Sequence, residues 1–545
     1  MARDLDDVLE EVGQFGKFQI FNYILISVPM IFVVICSTSF VFTSGDLDYR
    51  CRVPECEDNG TEFLPDWVEW AAPKEERGGE MVPSRCHRYV PVTNTSETCW
   101  IDGFTNVTER CNDWVYKTSE ITIVREWNVT CEENKWKLTV AGMLVYTGVL
   151  LSKPFAGYVS DRFGRKTMLL AGLALAGSAG ALRGLSQSFL MFQICNILEG
   201  IFGGGIYSAA FVMGLELMGP KKRVLGGAIM SSYNAFGEIA MGAIAWGLQS
   251  WRLIHAVIYG PAVLFIFYIW LLPESVRWLL AKGKKDKAEK IMLKAAKMNG
   301  VPAPTDMFKS LSSLEKLNTE PEPSPLPEKG VMGQAIRSRI LMLRLIMLSF
   351  TWASISFVFS GLTFNATSLA GNKYVNFMLA GLIEMPGHLL TYFGMDRLGR
   401  KGTLAGSLSA SSLCCFLFIA VPPDIVWLGI GLYLLGKFAI TTSYDVMYMY
   451  AAELFPTKLR HSMISACSML GGIGAIAAPV SPLLNTYFQG LHLILFGGFT
   501  LASAIITLFL PETRGVKLPD TVEEAEQLGT RNYANRDYQM EERLE

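Results

Sequence analysis

Three carboxylates and one ammonium group stand inside stretches that are otherwise apolar: Glu238, Glu384, Asp445 and Lys437. A charge at the centre of a bilayer helix costs about 2.5–3.5 kcal/mol on insertion scales, so such residues are functional candidates by default. Glu384 and Asp445 would attract an ammonium group. Lys437, two helical turns before Asp445, either pairs with one acid as a structural link or stays available. With both acids free the site favours a cation; with Lys437 available, an ammonium–carboxylate zwitterion fits equally. Glu238 reads as a cavity or proton-linked group. Lys153 and Arg183 lie nearer the ends of their apolar runs, where long side chains can snorkel. Aromatic residues recur at helical spacing: Tyr207 with Phe211, Trp352 with Phe359, and Tyr444 with Tyr448. Aromatic faces stabilise quaternary or protonated amines by about 0.5–2 kcal/mol each. A lone aromatic in a membrane helix more often packs against lipid or a neighbouring helix. Clustering around acids is what singles these six out.

The elements that would position them are long apolar runs. Half of the 545 residues are hydrophobic, and a bilayer-crossing helix needs roughly 20 consecutive apolar residues. Twelve candidates result: 20–42, 138–159, 168–186, 189–217, 224–248, 253–272, 340–363, 374–394, 403–421, 425–452, 462–484 and 490–510. The basic residues Arg162, Arg165, Lys166, Lys221, Lys222, Arg223, Arg397, Arg400, Lys401, Lys458 and Arg460 all fall between runs on one side. The positive-inside rule makes that side cytoplasmic, with both termini. Set between apolar spans, these clusters are orientation signals and not nucleic-acid patches.

The chain is also a duplication. Asp161-Arg162-Phe163-Gly164-Arg165-Lys166 returns as Asp396-Arg397-Leu398-Gly399-Arg400-Lys401, 235 positions later. Glu216 and Arg223 return as Glu453 and Arg460, and Pro273-Glu274-Ser275 as Pro511-Glu512-Thr513, at offsets of 237 and 238. A repeat in one orientation is what two parallel six-helix transporter halves would show. Asp161 is expected to cap the third helix, and Gly157 and Gly164 to let backbones approach. Arg165 and Lys166 are expected to reach carboxylates on other helices, such as Glu216 or Glu453. The expectation is a cytoplasmic gate built from Asp161, Arg162, Arg165, Glu216, Arg223, Asp396, Arg397, Arg400, Glu453 and Arg460. Its ion pairs close that face in one state and break in the other.

The expected organisation is a cytoplasmic segment 1–19, a first bundle 20–272, a central loop 273–339, a second bundle 340–511 and a tail 512–545. Leu5, Val8, Leu9 and Val12 suggest a short amphipathic helix, and the acidic leader does not resemble a cleavable signal. Lys282 to Lys297 reads as a basic amphipathic helix, Pro321 to Pro327 as a linker, and the tail as disordered. An insert at 43–137 holds Cys51, Cys56, Cys86, Cys99, Cys111 and Cys131. Three disulfides are expected there, with fifteen pairings open. It also carries glycosylation sequons at Asn59, Asn94, Asn106 and Asn128, on the side opposite the basic loops. The insert is too loop-rich for its sequence to assign strands or helices. Cys36, Cys195, Cys414, Cys415 and Cys467 read as inert core residues.

The DRFGRK loop and its copy, PESVRWLL (273–280), AELFPTKLR (452–460) and PETRG (511–515) resemble the major facilitator superfamily. The cysteine-bearing insert, CRVPEC (51–56) and VGQFGKFQ (12–19) resemble its organic cation/anion/carnitine transporter family. The resemblance covers nearly the whole chain, and the seventh span lacks the paired glutamines of a sugar porter. It implies an all-α membrane protein of twelve transmembrane helices in two pseudo-symmetric six-helix bundles, with a disulfide-rich extracellular insert. It also implies that Glu384, Lys437, Asp445 and the six aromatics line a central cavity. Gly472 departs from the pattern: cation transporters often carry an aspartate there, and anion or carnitine transporters an arginine. Ile355 replaces another polar position.

The sequence therefore reads as a plasma-membrane carrier of small organic cations or zwitterions, such as carnitine-like or amine-bearing metabolites, working by alternating access. The alternatives are an organic anion carrier using Lys437, Lys153 and Arg183, or a receptor using the insert. An enzyme is not expected: there is no metal-ligand spacing, nucleophile elbow or P-loop, and the five histidines are dispersed. No cofactor or nucleic-acid partner is expected. The partners are the solute and membrane lipid, with room for a coupling ion, and the expected state is a monomer.

Overall fold

The computed structural model describes residues 9, 12, 13, 15–57, 62–77, 80–92, 99–219, 223–302, 328–422, 424–457, 459–485, 488, 490–516 and 518–529. The side chains of 76, 77, 80, 223–225, 228 and 328–332 lie outside the description. Asn59, Asn94, Leu5, Val8, Lys221, Lys222, Lys458, the 321–327 linker and the tail beyond 529 fall outside it too, as does the side chain of Arg223.

Among the described residues, twelve helical passes form two halves. The first half holds α1 (Lys17–Thr38, extended by Phe40–Thr43), α2 (Lys135–Phe163), α3 (Arg165–Gly184) and α4 (Phe189–Gly203 with Ile206–Glu216). It is completed by α5 (Arg223–Leu248) and α6 (Trp251–Tyr259, Pro261–Phe267 and Tyr268–Leu271). The second half starts with α7 (Arg339–Asn365) and α8, which begins as Lys373–Leu382 and resumes at Glu384. The helix Glu384–Ile419 is broken at Gly399: residues before the break complete α8, and those after it are α9. Then come α10 (Val426–Leu454), α11 (Arg460–Ala477 with Ser481–Leu484) and α12 (Leu491–Leu508). Each half has a buried apolar core, and Tyr374 and Phe377 of α8 join that of the first half.

Gly164 and Gly399 show how the duplicated motif works. Their φ angles are +112° and +79°, a region that L side chains rarely adopt. A Cβ at Gly164 would collide with the Glu274 carboxylate, and one at Gly399 would lie 2.5 Å from Glu512 Oε2. These carboxylates cap the helices that follow. Lys166 N donates to Glu274 Oε1 at 3.1 Å; Arg400 N and Lys401 N donate to Glu512 at 2.9 and 3.1 Å. A carboxylate on the first turn of a helix satisfies orphan N–H groups and meets the positive end of the dipole. Asp161 therefore does not cap α3. It ends α2, is 76% exposed, and pairs with Arg165 at 2.9 Å. Gly157 has open space around its Cβ position, so no backbone approaches there.

The tail is ordered up to Gly529, against expectation. Arg344 donates to the carbonyls of Ala525 (2.5 Å) and Leu528 (2.9 Å), and a helix Val522–Gln527 seats Val522 and Ala525 on the second core. The central loop forms helices Val276–Ala281 and Lys285–Asn299, with a turn at Gly283 between them. Asn299 accepts from Phe18 N at 2.9 Å and donates to Val12 O at 2.8 Å. Val12 and Leu9 are buried in the first core, so the leading segment packs against protein.

The insert, which the sequence left unassigned, forms three short ribbons. β1 (Tyr49–Cys51) pairs with β6 (Trp114–Tyr116), β2 (Lys74–Arg77) with β3 (Glu80–Pro83), and β4 (His87–Pro91) with β5 (Phe104–Arg110), all antiparallel. The disulfides are Cys51–Cys111, Cys56–Cys99 and Cys86–Cys131. Such short ribbons are marginal alone, and cross-links of 43 to 60 residues offset what the small core cannot supply. Asn106 and Asn128 are exposed.

Glu512→Ala and Gly399→Ala should each cost about 1–2 kcal/mol of stability, read as a lower unfolding midpoint in detergent. An unchanged midpoint for both would contradict the capping role.

Candidate substrate site

The polar residues of the apolar spans meet at the seam between the halves. Glu384 follows the turn at Ile383 in α8 and faces α10. Lys437 Nζ lies 2.7 Å from Glu384 Oε1, and neither side chain has exposed surface. Lys437 Nζ also donates to Thr363 Oγ1 of α7 at 2.6 Å, and it sits 3.4 Å from the centre of the Phe359 ring. From the other half, Asn234 Nδ2 of α5 donates to Glu384 Oε2 at 3.1 Å, and Glu238 Oε1 accepts from Thr363 at 3.5 Å. Glu384 and Lys437 therefore neutralise each other. Of the two arrangements the sequence leaves open for Lys437, this is the paired one, and its ammonium also occupies the face of Phe359. The cause is desolvation: a charge buried here is tolerated only with its counter-charge in contact.

One turn along α8 and two along α10, a second pair forms. His388 Nδ1 lies 2.6 Å from Asp445 Oδ2, and Thr391 Oγ1 donates to the same oxygen at 3.4 Å. The Asp445 side chain keeps 22% exposure, so it is the more open of the two acids. While the imidazole is neutral and donates from Nδ1, the pair keeps its negative charge. The aromatics surround this end. Phe359 and Tyr444 ring centres are 5.2 Å apart, Tyr444 and Tyr448 5.8 Å, and Trp352 and Tyr448 4.5 Å. Tyr207 stacks on Phe211 at 6.2 Å and lies within electrostatic reach of Tyr448 and Asp445, which brings α4 of the first half to α10 of the second. Tyr448 is 45% exposed, whereas Trp352 is buried.

Arg183 does not snorkel. It is fully buried, 3.0 Å from Glu199, and donates to His255, Asn196, Ser39 and Tyr259. Tyr259 in turn donates to Glu199. This closed network ties α1, α3, α4 and α6 together within the first half. Lys153 of α2 is half-buried and donates to the backbone carbonyl of Ser468 on α11 at 2.9 Å. A side chain at Gly472 would come within 3.8 Å of Lys153 Nζ, so the α11 position that lacks a charge sits beside a lysine from α2.

The gate residues stay within their own halves. Arg165 lies 3.7 Å from Glu216, and Arg400 lies 3.0 Å from Glu453, which also accepts from Thr513 at 2.6 Å. Lys166 Nζ reaches Ile269 O instead of a carboxylate. Arg162, Asp396 and Arg397 are exposed, and Arg460 donates to Thr457 at 3.3 Å. At the opposite face, contacts cross the seam: Phe42 on Tyr374 and Phe377, Phe40 on Phe364, and Lys373 to Glu120 at 2.5 Å.

Sequence reasoning missed His388, Asn234 and Thr363. His388 was legible as the i+4 neighbour of Glu384 on one helical face. Asn234 and Thr363 carry no charge, and nothing in a sequence sets them apart from other polar residues in spans.

Residues 111–479 match the Major Facilitator Superfamily. Solved structures of the Escherichia coli xylose transporter XylE share the fold: an inward-open form has a TM-score of 0.57 at 18% identity, covering 74% of this chain and 94% of that one. A partially occluded form has a TM-score of 0.58 at 14% identity, covering 91% and 100%. The organic cation transporter protein of Drosophila melanogaster is 32% identical over 96% of this chain and 95% of its own length. The human organic cation/carnitine transporter 2 is 32% identical over 96% and 94%. The chain thus belongs to the Major Facilitator Superfamily and, within it, to the organic cation/carnitine transporter family, whose members are multi-pass membrane transporters and not enzymes.

Glu384→Gln alone and Lys437→Met alone should each cost about 3–5 kcal/mol, because each leaves an unpaired buried charge. The double variant should cost less than either single. Additive losses in thermal unfolding would show that the pair does not act as a unit.

Proposed function

We propose that this protein carries small organic cations or zwitterions across the plasma membrane by alternating access of its two halves to a midplane site. One observation carries the reading: Asp445 keeps an accessible carboxylate beside Tyr444, Tyr448 and Tyr207, while Glu384 and Lys437 cancel each other. A carboxylate among aromatic faces suits an ammonium group, which gains from both. The names of the relatives, organic cation and organic cation/carnitine transporters, agree with that chemistry. The anion alternative loses two of its three cations, since Lys437 and Arg183 already have carboxylate partners. Lys153 has no carboxylate partner among the described residues, so it is the group left to meet a zwitterion's carboxylate.

In this reading the basic loops face the cytoplasm and the glycosylated insert faces outward. Contacts across the seam on the insert side, with gate pairs confined to each half on the other, support a state closed outward. Rearranging those pairs across the halves would then close the cytoplasmic side in the opposite state.

Asp445→Asn should abolish uptake of tetraethylammonium and of L-carnitine in expressing cells, while surface expression holds. Tyr448→Ala should raise KM for either about 2- to 30-fold, the equivalent of one cation–π contact. Lys153→Gln should reduce L-carnitine uptake and leave tetraethylammonium unchanged. Uptake of an aromatic carboxylate that depends on Lys153 and survives Asp445→Asn would instead favour the anion carrier.

A further inference from the structure

The seam network holds two carboxylates but one ammonium. Glu384 has Lys437 at 2.7 Å. Glu238 is 3% exposed; its Oε1 has the Thr363 hydroxyl at 3.5 Å, and its Oε2 has no hydrogen-bond partner. The titratable or charged groups around it are Lys437 of α10, Glu384 of α8 and the phenol of Tyr146 of α2. From α7 it meets Thr363. Lys437 is already neutralised, so an ionised Glu238 would leave a net negative charge in a buried seam, next to a second carboxylate. Two carboxylates sharing such a site do not both ionise.

Something must neutralise Glu238, and the space decides what. The α8 backbone runs against it: a Cβ on Gly381 would lie 2.9 Å from Glu238 Cβ and 3.4 Å from its Oε2. A hard metal cation needs several oxygen ligands around it, and Oε2 is the single unpartnered oxygen of this residue. A proton needs only one. The seam that encloses Glu238 is closed on the insert side by Phe42 against Tyr374 and Phe377, and by Phe40 against Phe364. Parting the halves there would bring water to the carboxyl group and release its proton.

We infer that Glu238 is a proton-binding site whose occupancy is linked to closure of the two halves on the insert face. Each closure takes up one proton, from the water that enters the open seam, and each opening returns it. The idea deepens the alternating-access reading. It does not depend on which solute is carried.

The test uses the full chain in lipid nanodiscs without solute. Spin labels at Gly247→Cys and Ala370→Cys, in a Cys414→Ser background, report the separation of the end of α5 from the loop that leads into α8 at the insert face. Between pH 5 and 8, the closed-to-open ratio should rise up to about tenfold for each unit of acidification, as one linked proton requires. Glu238→Gln should flatten that dependence, and Glu238→Asp should retain it. Infrared difference spectra should show a carboxylic acid band at neutral pH that Glu238→Gln removes. A wild-type ratio indifferent to pH, a slope that persists in Glu238→Gln, or a ratio that follows Na⁺ instead of pH would overturn the inference. A pH-linked ratio in a protein that moves neither tetraethylammonium nor L-carnitine would leave this site standing and refute the proposed solute class.

Discussion

A charge in the middle of a bilayer has to find its opposite within a few ångströms, and the contact between Glu384 and Lys437 meets that constraint where the two halves touch. The low dielectric that makes an unpaired ion costly also makes the pair selective about its surroundings. Thr363 and Asn234 complete the hydrogen bonding of the two groups from two further helices. Four helices are thereby held in one register, α5 from the first half and α7, α8 and α10 from the second. The same logic recurs in the first half, where Arg183 and Glu199 organise four helices around a closed network. Burial of charge is thus a fastening device twice over. It leaves Asp445, backed by His388, as the acid that keeps exposed surface.

The gross architecture was legible because the bilayer imposes it. Runs of about 20 apolar residues, the bias of Lys and Arg to alternate loops, and the repeat of DRFGRK by DRLGRK needed no packing information. The cysteine-rich insert was legible as a cross-linked module, but its pairings were not, because sequence spacing does not reveal which Cα atoms come within bridging distance. The ribbons of the insert escaped notice since their strands are only three to seven residues long. The tail escaped for another reason. Charged composition argued for disorder, yet Arg344 inside the bundle supplies donors to its backbone carbonyls.

At the site, the side chains singled out in the sequence come together, with partners that the sequence left open. Glu384, Lys437, Asp445 and the tyrosines do assemble around α10. Which acid meets Lys437 depends on rotation of α8 against α10, and a sequence does not carry that angle. The gate motif followed a similar course. Asp161 and Glu274 were both visible as repeated positions, but capping was assigned to the wrong one. Glu274 lies 108 residues after Lys166 in the chain and is a long-range partner. Its pseudo-symmetric copy Glu512 makes the same contacts at α9, so the duplication preserves a three-dimensional arrangement and not merely a string of residues.

The account stands or falls on where a positive solute rests. A structure of the protein in lipid with bound tetraethylammonium measures this most directly. The account predicts the nitrogen within about 6 Å of the Tyr444 or Tyr448 ring centre, with Asp445 as the nearest carboxylate and Lys437 still against Glu384. A nitrogen seated elsewhere, or one that displaces Lys437 to reach Glu384, would contradict it.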